Sequence, residues 1–192
     1  MKFIQLTRFI RESGFKNLNE ARSRLMIFAP LALLLVLAMA FWAFGSIPQT
    51  LLVLIGVPLA LVGGVLGLKI NGLPFSITAG VGFIALAGIS VLNGVVLINC
   101  FNDLKAKGMN GIELVRQGTA LRIRPVLMTA LVAIFGFIPM MISTGVGAEV
   151  QRPLASVVIG GLVSSTLLTL IVLPCVYLIF ERYMAPSVPI KN

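Results

Sequence analysis

Residues 50–68 read TLLVLIGVPLALVGGVLGL, with no charged side chain anywhere in the run. As an α-helix rising about 1.5 Å per residue, this stretch reaches roughly 28 Å, the depth of a bilayer's hydrocarbon. Its apolar residues are continuous rather than alternating. A barrel strand alternates, so the stretch is read as a membrane-crossing helix. Gly63 and Gly67 lie four residues apart on it, a small-residue face that lets a second helix approach closely in lipid.

Four further runs of this kind lie on either side. Residues 25–45 carry no charge and close on Phe41, Trp42 and Phe44, an interfacial aromatic belt. Residues 76–101, 125–143 and 153–180 complete the set. The last has a second small-residue face at Gly160 and Ser164. Pro125, suited to a first helical turn, is expected to start the fourth span. Between the third and fourth spans, residues 102–124 form a charged, amphipathic connector. The expected fold class is an all-α membrane protein of about five transmembrane helices plus one amphipathic connector helix. Residues 1–24 form a basic tail that is either frayed or lies on the membrane surface, and residues 183–192 a short C-terminal tail.

Composition agrees. Hydrophobic residues make up 58% of the 192, charged residues only 11%, and the mean hydropathy is +1.06. A soluble domain runs nearer half apolar and a quarter charged. The formal net charge is +9. A nucleic-acid partner is not implied, because the positives flank apolar spans as they do in cytoplasmic loops. They do not decide orientation. Lys105, Lys107, Arg116, Arg122, Arg124, Arg182 and Lys191 fall on one side. Lys69, Arg152 and six residues of the N-terminal tail fall on the other.

There is no histidine and only two cysteines, Cys100 and Cys175. That leaves no zinc-ligand spacing. No nucleotide-binding glycine loop or catalytic motif occurs, so neither an enzyme nor a cofactor is expected. A polar residue within a span is a functional candidate by default. Asn93 is the best case, with Ser90 three residues earlier on the same helical face. The plainer role for Asn93 is a hydrogen bond to a neighbouring helix. Met140 and Met141 offer soft thioether ligands. As neighbours they point to different faces, so adaptable packing is the plainer role. Glu149 sits in a glycine-rich turn between the last two spans.

Three stretches go beyond generic membrane helices: GFIALAGISVLNGVV at 82–96, RIRPVLMTA at 122–130 and TGVGAEVQRPLA at 144–155. In this order and spacing they resemble the last five transmembrane helices of resistance-nodulation-division (RND) efflux pumps. The third most resembles the heavy-metal branch, the cobalt–zinc–cadmium and copper–silver exporters. The resemblance covers about residues 20–182; residues 1–15 match nothing recognisable. It implies a proton-driven transporter of divalent or monovalent heavy-metal cations in the bacterial inner membrane. Such pumps are homotrimers of twelve-helix chains that work with a periplasmic adaptor and an outer-membrane channel. It also puts Asn93, Ser90, Thr129 and Arg122 near the proton pathway. The drug-exporting branch has a lysine at the position of Leu92, so that charge is absent here. The chain reads as a fragment, the product of a truncated gene, that is not expected to transport alone. The alternative is a non-transporting membrane partner, or a separately encoded half, whose small-residue faces pack against a complementary subunit.

Overall fold

The structure is a computed structural model that describes residues 23, 26–28 and 30–184, with side chains up to residue 179. The expectations for the N-terminal tail and for residues 185–192 lie outside the described residues. Five helices are long and apolar enough to cross a membrane: α1 (Met26–Phe44), α2 (Ile47–Ile70), α3 (Ile77–Ala106), α4 (Gly111–Ile142) and α5 (Ala148–Met184). No strand occurs among the described residues.

Local chemistry sets several of the boundaries. Pro48 occupies the first turn of α2, where its missing N–H is no loss. Asn71 ends that helix, its side-chain amide donating to the Gly67 carbonyl at 2.9 Å. Ser76 caps α3, its Oγ accepting from the Ala79 amide at 3.2 Å. The turn before α5 needs a left-handed residue, and Gly147 supplies it with φ +92°.

Two prolines do not break helices where a start was expected. Pro125 lies inside α4, which begins at Gly111 and runs through it. Proline removes one hydrogen bond and crowds the carbonyl four residues back. The helix survives because the segment before it is anchored by its own packing. Leu114 is fully buried, and the Phe101 ring lies where a side chain at Gly118 would stand. The helical part of the connector is therefore continuous with the fourth span. Likewise α5 begins at Ala148, with Glu149 in its first turn, and passes through Pro153.

The core lies between α2, α3 and α5. The packing of α2 against α5 is the most extensive in the chain. At one end, the Phe101 and Tyr177 rings pack at 4.7 Å between centroids with their planes tilted by 49°, beside buried Leu97 and Ile98. Helices α1 and α4 sit at the edge. In the most apolar window of each helix, 6% of α1 and 11% of α4 is buried, against 44% for both α2 and α3. These two helices expose long apolar faces.

Candidate functional site

Ser90 and Asn93 share the inward side of α3. Ser90 is 2% exposed and its Oγ has no hydrogen-bond partner among the described residues. It looks toward α2 at Gly56, where an added Cβ would stand 3.4 Å from that oxygen. Asn93 is half-buried. It finds no hydrogen-bond partner among the described residues, so it does not cross-link these helices. Leu92 beside it is exposed.

Thr129 is exposed on α4. Its hydroxyl is within bonding reach of two carbonyls of its own helix, Pro125 at 3.1 Å and Val126 at 3.0 Å. Arg122 lies in the same helix, half-buried. No hydrogen bond joins Thr129 or Arg122 to Ser90 or Asn93 among the described residues. The four proton-pathway candidates thus form two groups on different helices.

Met140 and Met141 are half-buried at the end of α4. Successive helical residues diverge by about 100°. No group of three or more His, Cys, Asp or Glu side chains gathers as a metal cluster among the described residues. Cys100 is buried, with its thiol 3.9 Å from the Gly118 carbonyl, and Cys175 is exposed. Glu149 is exposed.

The small-residue faces meet each other. A Cβ on Gly63 would collide with the side chain of Ser164 and lie 2.7 Å from the Gly160 carbonyl. A Cβ on Gly160 would lie 2.6 Å from the Gly63 carbonyl and 2.8 Å from Gly67 Cα. Ser164 Oγ donates to the Leu59 carbonyl at 2.9 Å. These helix-packing faces, which the alternative reading would set against a separate subunit, pack on each other within the chain, between α2 and α5.

Two features escape sequence reading. Gln49 and Asn102 exchange hydrogen bonds between the start of α2 and the end of α3. On α5, Ser156, Ser165 and Thr166 are buried, and their hydroxyl oxygens have no partner among the described residues. Hydroxyl residues concentrated in one apolar span were the available signal for the second; nothing local signals the first.

Comparison with known proteins follows this geometry. Residues 8–181 match the AcrB/AcrD/AcrF family. The likeness therefore reaches back past residue 20, where the motifs alone had begun it, into residues that had matched nothing recognisable. The chain is 55% identical over 168 residues to the cobalt-zinc-cadmium resistance protein CzcA of Cupriavidus metallidurans, covering 88% of this chain and 16% of that one. It is 56% identical over 160 residues to the nickel and cobalt resistance protein CnrA of the same organism, covering 83% of this chain and 15% of that one. An X-ray structure of a heavy metal efflux pump superimposes with a TM-score of 0.76 at 41% identity, over 87% of this chain and 17% of that one. The chain thus spans about 16% of the length of the curated relative CzcA.

Proposed function

The chain belongs to the AcrB/AcrD/AcrF family, the resistance-nodulation-division transporters, and from that membership we propose that it is the C-terminal membrane-domain portion of a proton-driven exporter of heavy-metal cations. The observation that carries this reading is the 55% identity to a cobalt-zinc-cadmium resistance protein across 88% of the chain. The five apolar helices fit a multi-pass membrane protein. The complete exporter would sit in the bacterial inner membrane as a homotrimer, coupled to a periplasmic adaptor and an outer-membrane channel.

Alone, these helices are not expected to export. Proton-driven transport needs a group that changes charge near neutral pH within the membrane. Among the described residues, acids and lysines sit at or just beyond helix ends or in the polar first half of α4, and none lies midway along an apolar span. Asn93, Ser90, Thr129 and Arg122 are proposed to serve a proton path completed by acids on other helices.

The test is metal resistance in a host stripped of its own exporter. The chain expressed alone should give no protection against cobalt, zinc or cadmium. Expressed with the remaining helices and periplasmic domain of a related exporter, it should restore resistance. Protection by the chain alone would overturn the claim that it needs a complement.

A second reading, a non-transporting membrane partner, is favoured by one observation. Helices α1 and α4 leave broad apolar faces uncovered. Their coverage by another subunit predicts co-purification with a tagged full-length pump without any gain in resistance.

A further inference from the structure

Residues 125–142 of α4 carry no charge. At about 1.5 Å per residue they make roughly 27 Å of helix, close to the depth of the hydrocarbon. Arg124 immediately precedes this run, so its side chain leaves the helix at the boundary between hydrocarbon and headgroups. It is exposed and makes no ion pair or side-chain hydrogen bond among the described residues. No described acid of this hairpin shares its level. Glu113 stands eleven residues earlier, about 16 Å along the axis. Asp103 belongs to the turn of α3 that packs on Gly118, about 9 Å from the level of Arg124. Met128, Leu131 and Phe135 follow Arg124 at steps of four, three and four, so all four share one face of the helix. The three apolar side chains are exposed. This face therefore joins an unpaired cation at the boundary to an uncovered apolar strip that reaches mid-bilayer.

We propose that this face of α4 binds an anionic phospholipid, its phosphate held by Arg124 and an acyl chain laid along Met128, Leu131 and Phe135. The planar guanidinium fork matches the paired oxygens of a phosphate. A neutral apolar helix would cover the strip and leave the guanidinium unpaired. A free phosphate would pair the guanidinium and leave the strip bare. A lipid satisfies both ends at once. The surroundings decide the headgroup charge: the first half of α4 carries Arg116, Arg122 and Arg124 against Glu113 alone, and a basic surplus beside a membrane attracts anionic lipid. The inference needs only that the chain lies in a membrane, not that it transports.

The full chain in lipid nanodiscs provides the test. Trp42 is the single tryptophan, so Trp42→Phe combined with Phe135→Trp places one fluorophore on the strip. Phosphatidylglycerol brominated on its acyl chains should quench it more strongly than brominated phosphatidylethanolamine at equal mole fraction. Arg124→Gln should abolish that difference. Arg116→Gln, about 12 Å farther from the boundary, should preserve it. Both arginines are exposed, so both variants keep the fold. Native mass spectrometry of the chain released from the nanodiscs gives a second readout. Retained phosphatidylglycerol should fall about fivefold in Arg124→Gln, the scale of one basic residue at an anionic surface, and stay near the parent value in Arg116→Gln. Equal quenching by the two lipids in the parent would mean unselective boundary lipid, and equal losses from the two arginine variants a diffuse cationic surface. A quenching difference erased by inorganic phosphate, but not by chloride at the same ionic strength, would mean a free anion. One erased by co-assembly with a full-length pump would give the face to a protein partner. Each of these four results would overturn the site.

Discussion

The side-chain amides of Gln49 and Asn102 hold each other through two hydrogen bonds of 3.1 Å, one in each direction. The pair ties the first turn of α2 to the last turns of α3 across 53 residues of chain. Each amide supplies both a donor and an acceptor, so neither partner can be shortened without orphaning the other. Gln49→Ala and Asn102→Ala should each destabilise the chain by about 0.6–1.7 kcal/mol, the range of membrane hydrogen bonds. The double variant should cost no more than the worse single one. Denaturant titration in micelles measures the cycle, and strictly additive losses would show that the amides act separately.

The contact of α2 with α5 predicts a sharp contrast among glycines. Gly160→Ala places a methyl against the Gly63 carbonyl and the Gly67 backbone, neither of which can turn aside. A loss of about 1–3 kcal/mol is expected, the scale of overpacking. Gly136→Ala in α4 meets nothing within 4 Å. It should be neutral or stabilise by up to about 1 kcal/mol through helix propensity. Unfolding midpoints of the two variants settle the matter, and equal effects would contradict the packing described.

How much of this was readable beforehand varies with the kind of signal. Membrane-crossing helices announce themselves through long uncharged runs, as at residues 50–68, because lipid imposes the same demand on every residue. The true start of α4 did not, because Arg122, Arg124 and Pro125 together look like a break. Yet Leu114, Val115 and Gly118 lie on one helical face, and all three are buried. That spacing carried the helix through a polar stretch. The Gln49–Asn102 bridge was unreadable for a different reason: it depends on the register of two helices, which no local pattern encodes. Gly63, Gly67, Gly160 and Ser164 were recognisable as packing residues, but sequence does not say which face meets which.

Thr129 is expected to separate stability from transport. Among the described residues its hydroxyl bonds only to its own helix, at Pro125 and Val126. Such back-bonds contribute little to a helix that already holds together. Thr129→Val should therefore leave the unfolding midpoint of the chain within about 0.5 kcal/mol of the parent value, as for an exposed position. If the proposed proton pathway is right, the same change in the complete exporter should abolish metal resistance, and Thr129→Ser should retain it. Full resistance with Thr129→Val removes this residue from the pathway.

Asn93 offers the most discriminating case. Were it helix-to-helix glue, replacing it would remove a bond and loosen the bundle. Instead it is half-buried in an apolar helix with no partner among the described residues, which makes it a cost to this chain. Replacing an unpaired buried amide by an apolar group of similar shape is neutral or stabilising. Asn93→Leu should thus hold or raise the stability of the five-helix chain. In the assembled exporter it should lower metal resistance, because the amide's partners would lie on helices supplied by the rest of the pump. The two measurements pull in opposite directions, as expected of a polar residue retained for function. A fall in stability of the isolated chain would instead return Asn93 to a structural role, and would move the proposed proton path away from this face of α3.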